Sequence, residues 1–132
     1  MKEPTHSIVE EFRIAYTHRV VFTENVFAPD NPLLASTIAA CSSAERPRVF
    51  VVADAALTAA NPDLGARMSR FFERHREDIL YTGCLELPGG EQLKNEPGYL
   101  EQLYAAIEEK RLCRHSYIIA LGGGALLDLV GF

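Results

Sequence analysis

The sequence predicts an α/β fold: a parallel sheet with crossover helices, preceded by an N-terminal β-hairpin. Three observations predict it. Arg48-VFVVA-Asp54 and Ser116-YIIAL are continuous apolar runs without alternation, as expected of strands buried on both faces. Two helical patterns, each opened by a proline, lie between them. A further strand-like run, residues 79–87, separates the two helices. Strand, helix, strand, helix, strand is the order of a Rossmann-like layer.

The elements follow in order. Ile8, Phe12 and Ile14 share one face of an extended chain, with Glu11 and Arg13 on the other. Val20 and Phe22 continue the alternation, so the opening residues read as a hairpin. Asp30-Asn31-Pro32 is a helix start, a capping side chain before a proline whose missing N–H costs nothing. The helix is expected over about residues 32–41. Asn61-Pro62 opens a second helix, with Leu64, Met68, Phe71 and Phe72 on one side. Glu96-Pro97 opens a third, with an apolar stripe of Tyr99, Leu100, Leu103, Ala106 and Ile107.

Composition excludes several classes of function. Thirteen basic against eighteen acidic residues, a formal net charge of -5, lack the basic excess of a nucleic-acid binder. A phosphate ligand remains compatible, because backbone amides hold phosphates without net positive charge. The longest uncharged apolar run, residues 117–127, falls short of the roughly 20 residues a bilayer span needs. Cys41, Cys84 and Cys113 show no metal-ligand or redox spacing and are expected as small buried apolar residues of a reducing cytoplasm. His6, His18, His75 and His115 form no cluster, and no HxxxH or nucleophile elbow is present.

Ligands of such sheets bind beyond the carboxyl ends of the strands. Three features fall there. Gly122, Gly123 and Gly124 form a glycine turn between a strand and a helix, suited to a pyrophosphate and equally to a plain flexible turn. Asp128 falls in the first turn of that helix, as a dipole-favoured carboxylate or as an acceptor for a ligand hydroxyl or carboxamide. Pro88 to Asn95 reads PGGEQLKN. There Glu91 suits sugar hydroxyls and Lys94 an anion, or the two form a surface ion pair on a polar turn. Asp54 ends its strand as a ribose acceptor or as the cap of a following turn.

The two motifs taken together resemble the sugar phosphate cyclase superfamily, whose best-known members are dehydroquinate synthase-like. That family has a DGExxK-type turn followed by a GGGxxxDxxGF segment. Here they stand as Gly89-Gly90-Glu91-Gln92-Leu93-Lys94 and Gly122 to Phe132. Gly89 replaces the usual aspartate and Leu127 a frequent glycine, which is closer to the valiolone synthase-like branch. The resemblance implies NAD as cofactor. Gly90, Glu91 and Lys94 would line its adenosine and ribose side, and Asp54 would take the adenine ribose. Gly123, Gly124 and the helix start would hold the pyrophosphate, Gly122 would belong to the same cofactor-binding turn, and Asp128 would help to fix the cofactor. It further implies a phosphorus–oxygen lyase that makes a carbocycle from a seven-carbon sugar phosphate with NAD and a divalent metal, zinc or cobalt. The family is cytoplasmic and homodimeric.

The family's metal ligands and catalytic residues lie in a helical domain after the glycine turn. The expectation is therefore that residues 1–132 are a truncated N-terminal NAD-binding domain without the helical metal and substrate domain, inactive alone, with no catalytic or metal-binding residue. The competing readings are the NAD-binding domain of an iron-type alcohol dehydrogenase-like enzyme, and a non-enzymatic module that binds a nucleotide or a partner.

Overall fold

The computed structural model describes residues 6–132. Three parallel strands form one sheet: β1 (Arg48–Asp54), β2 (Leu80–Leu87) and β3 (Tyr117–Leu121), in the order β2-β1-β3. The helices are α1 (Leu33–Cys41), α2 (Ala55–Ala60), α3 (Leu64–Arg74), α4 (Gln92–Asn95), α5 (Gly98–Glu109) and α6 (Gly124–Gly131). The expected α/β, Rossmann-like layer is present. β1 is central, which explains its unbroken apolar sequence: both faces and both edges are covered, and Val49 to Ala53 are buried.

The sheet separates two apolar clusters. On one face Val49, Val51 and Ala53 meet α1 through Ile38 and α3 through Leu64, Met68, Phe71 and Phe72. The four α3 residues are those at helical spacing in the sequence, and all are buried. Phe72 stacks on Tyr81 of β2 at 4.1 Å with the rings nearly parallel, so α3 is clamped to the sheet edge. On the other face Phe50 and Val52 meet Leu87, Leu93, Leu103 and Leu126. The two crossovers thus lie on opposite faces, and α4, α5 and α6 share the second.

Helix starts follow local chemistry. Asn31 caps α1, its Oδ1 accepting the Leu33 N–H at 3.0 Å, while Pro32 needs no partner. The β2 register slips by one residue between Tyr81 and Gly83 opposite Val49 and Phe50. The extra residue, Thr82, turns its hydroxyl to the Val49 carbonyl at 3.0 Å. Gly83 absorbs the bend at φ 127°, a conformation side chains disfavour.

Two expectations are corrected. The N-terminal hairpin is not formed: residues 6–22 contain no strand and their apolar side chains are exposed, Phe22 at 96%. Alternation is necessary for a half-buried strand but not sufficient. A two-stranded ribbon gains stability only when a third surface takes its apolar face, and the apolar side chains of residues 8–22 rest on no such surface. The cysteines are also not buried. Cys41 ends α1, Cys84 lies on the outer strand β2, Cys113 precedes β3, and all three are exposed.

The cysteines nonetheless differ. Partial burial, then the Glu86 carboxylate, pushes the Cys84 thiol up to about 11. A hydrogen bond from the His115 backbone, then one from the Ser116 hydroxyl, lowers that of Cys113. Since the thiolate is the nucleophile, iodoacetamide at pH 8 is expected to alkylate Cys113 well before Cys84. Peptide mass mapping over time checks the order, and faster labelling of Cys84 would contradict it.

Candidate functional site

The carboxyl ends of the three strands lie side by side, because β1 pairs in register with both neighbours. Asp54 is opposite Leu87, and Ala53 is opposite Leu121. The next residue on each chain therefore enters the same small region. Asp54 occupies its centre. Its Oδ1 accepts the Ala56 N–H at 2.8 Å, which caps α2. The turn cap anticipated for Asp54 is thus present, and it initiates a helix that periodicity does not reveal in six residues, four of them alanine.

Two glycines pack against this side chain, Gly89 at its carboxylate and Gly122 at its Cβ. A Cβ built on Gly89 would lie 2.0 Å from Asp54 Oδ2 and within 2.7 Å of the rest of the carboxylate. A Cβ on Gly122 would lie 3.0 Å from Asp54 Cβ and 2.7 Å from Leu126 Cδ2. Contacts below 3.0 Å do not occur between real side chains, so a side chain at position 89 requires the Asp54 carboxylate to move, and one at position 122 requires Leu126 to move. Asp54, Gly89 and Gly122 thus form one cradle. Gly89 stands in the sequence as part of the Pro88–Asn95 turn and as a departure from a family pattern, with no steric role assigned to it. Its constraint arises from a partner 35 positions away, which no local signal reveals.

Gly123 and Gly124 have a different surrounding. No atom lies within 4 Å of a Cβ built on either. Gly123 is extended at φ -82°, ψ -179°, a conformation open to any residue. Neither sterics nor backbone geometry requires glycine there. α6 begins at Gly124, and its first internal hydrogen bonds run from Leu126 and Leu127 to the Gly123 carbonyl, both at 3.1 Å. The amides of Gly124 and Ala125 precede these donors and make no backbone hydrogen bond among the described residues.

The segment after β2 forms the neighbouring wall. Gly90 has φ 76°, which favours glycine, and leads into the short helix α4. Glu91 and Lys94 form an exposed ion pair at 3.5 Å, the surface pair anticipated for the turn and worth little to stability. Lys94 and Asp128 line a cleft of about 450 Å³ between α4 and α6. Leu93, Leu129 and Phe132 supply its apolar lining. The predicted site residues therefore fall into two adjoining groups. Asp54 and Gly122 form the strand-tip cradle, Lys94 and Asp128 face the cleft, and Gly123 and Gly124 lie between them along the chain. Leu126 escapes the sequence reading as a site residue. It is 1% exposed and supports the turn from beneath.

No three His, Cys, Asp or Glu side chains come together as a metal site among the described residues. The described residues thus do not fit the divalent metal that the resemblance implies. No described helix is long and apolar enough to cross a membrane.

Comparison with known proteins bears on residues at this end of the sheet. The family described as 3-dehydroquinate synthase N-terminal matches residues 84–132, which include β2's end, α4 to α6 and both glycine turns. The 3-dehydroquinate synthase of a Synechococcus species is 38% identical over 77 residues, covering 58% of this chain and 21% of that protein. That of Geotalea uraniireducens is 37% identical over 76 residues, 54% of this chain and 20% of its own. That of Shewanella denitrificans is 44% identical over 55 residues, 42% and 15% respectively. The chain spans about a fifth of the length of the first two relatives. No solved structure matches it. The segment that carries both glycine turns, the α4 ion pair and Asp128 is thus similar to the N-terminal part of 3-dehydroquinate synthases.

Proposed function

We propose that this chain is the NAD-binding part of a dehydroquinate synthase-like sugar phosphate cyclase. The observation that carries the reading is the pair Gly123 and Gly124. The fold gives no reason for glycine at either, and open space lies where their side chains would be. A ligand that approaches the backbone closely supplies the reason. The unpaired amides at the start of α6 face an anion there, and a pyrophosphate matches that demand.

On this reading Asp54 accepts a ribose hydroxyl through Oδ2 while Oδ1 stays on the Ala56 amide. Its charge also disfavours a ribose 2′-phosphate, so NAD is preferred over NADP. Glu91 and Lys94 line the adenosine side, and Asp128 orients the far end of the cofactor. Bound NAD supplies a transient hydride acceptor for a hydroxyl of a seven-carbon sugar phosphate. The metal and substrate residues belong to a further helical domain, and these 132 residues alone do not cyclise.

Calorimetric titration tests the reading. Weak NAD binding is expected, with a dissociation constant on the order of 1 mM, about -4 kcal/mol. Gly124→Ala should retain the fold, with stability unchanged or raised by up to about 1 kcal/mol, yet lose detectable NAD binding. Glu91→Ala should weaken it about five- to tenfold, about 1 kcal/mol. Equal NAD affinity in wild type and Gly124→Ala, or none in wild type at saturating concentration, would overturn the assignment.

A further inference from the structure

A second cleft, lined by arginines over an apolar floor, lies on the opposite face of the sheet, where α3 packs. It has a volume of about 340 Å³, between α3 and the turn that precedes α1. Arg67, Arg70 and Arg74 line it from the helix, and Asn25 lines it from the turn. Phe27 and Phe71, in edge-to-face contact at 5.5 Å, back it with apolar surface. No carboxylate lines it. That is unusual for a chain of net charge -5.

The arginines are not consumed by the fold. Glu73, the acid nearest along α3, is turned to Arg76. Arg70 and Arg74 form no ion pair among the described residues. Arg67 has one carboxylate partner, Asp63. Its Nε lies 3.1 Å from Asp63 Oδ2, but out of line, so that buried donor lacks a hydrogen bond. Its Nη1 reaches Asn25 Oδ1 only at 3.5 Å, and its Nη2 reaches Asp63 Oδ1 at 3.5 Å. Asn25 itself is held at φ 49°, a left-handed conformation that presents its amide to Arg67.

We propose that this cleft is a second anion site, for a phosphorylated small molecule, separate from the strand-tip cradle. Spacing of three and seven residues places the arginines along one face over about 10 Å of helix axis, within reach of a common centre for side chains of this length. A guanidinium offers a planar fork of donors. One fork satisfies a carboxylate, whereas a phosphate has oxygens enough for two or three. The cleft volume is that of a small-ligand pocket. The turn and α3 share no residue with the cradle or with the α4–α6 cleft.

Inorganic pyrophosphate is the probe, followed by amide chemical shifts on the 132-residue chain. Expected are shifts in residues 25–29 and 67–74, whether or not residues 122–126 also respond at the proposed cofactor turn. Arg70→Ala and Arg74→Ala should each weaken the α3 response at least tenfold and leave any response at residues 122–126 unchanged. Both side chains are exposed, and far-UV circular dichroism confirms the fold; should one variant misfold, the other carries the test. Shifts confined to residues 122–126, no shifts at all, or wild-type affinity in a folded Arg70→Ala or Arg74→Ala, would overturn the second site. Neither outcome depends on NAD binding at the cradle.

Discussion

Gly122→Val is expected to destabilise the chain by about 3 kcal/mol, the upper end of the range for overpacking. A Cβ at this position meets Leu126 Cδ2 at 2.7 Å and Asp54 Cβ at 3.0 Å, and Leu126 Cβ at 3.3 Å. Neither neighbour has room to yield. Leu126 is fully buried beneath the turn, and Asp54 is tied to the Ala56 amide and overlaid by Gly89. Moving Asp54 would also give up the α2 cap, a loss of about 1 kcal/mol. Urea unfolding followed by circular dichroism measures the effect, with Gly123→Ala as the control. That control should change stability by less than about 0.5 kcal/mol, as for a surface substitution away from special features. The three adjacent glycines are therefore not equivalent. Gly122 is demanded by the fold, while its two successors are free of any such demand. Equal stability losses at positions 122 and 123 would remove that distinction, and with it the argument for a ligand over the turn.

Most of the sheet was legible because its signals are local. An unbroken apolar run marks a strand covered on both sides, and β1 runs from Arg48 to Asp54 as its composition indicates. The α3 stripe of Leu64, Met68, Phe71 and Phe72 is buried as its spacing requires. Elements without periodicity were not legible. α2 is six residues, four of them alanine, whose start depends on one carboxylate, and α4 is a single turn. The hairpin failed for the converse reason: the alternation of residues 8–22 is real, but a ribbon needs a surface to cover its apolar face, and that surface is not written locally. The site divides the same way. Its residue types stand in two short motifs, yet the packing of Gly89 against Asp54 joins separate strands and becomes visible only when the register is known.

Phe50→Ala should cost more than any substitution at the site, about 4 kcal/mol, within the range for removal of a buried aromatic. Phe50 is 2% exposed and lies at the centre of the second cluster, among Val52, Leu87, Leu103 and Leu126. These residues come from β1, β2, α5 and α6, so one cavity would loosen four elements together. For a domain with a total stability of about 5–15 kcal/mol that is a large share. At a urea slope of about 2 kcal/mol/M the midpoint should fall by roughly 2 M. Ile119→Ala on β3 is the comparison. Ile119 is half-buried against the first cluster, on a strand with a partner on one side. It should lose less than half as much, because a side chain still partly in water gives up less transfer free energy and leaves no closed cavity. The contrast locates the centre of stability at β1, the strand that also carries Asp54 to the cradle. If Ile119→Ala matched Phe50→Ala, β3 would be as deeply packed as β1, and the cradle would rest on two strands instead of one.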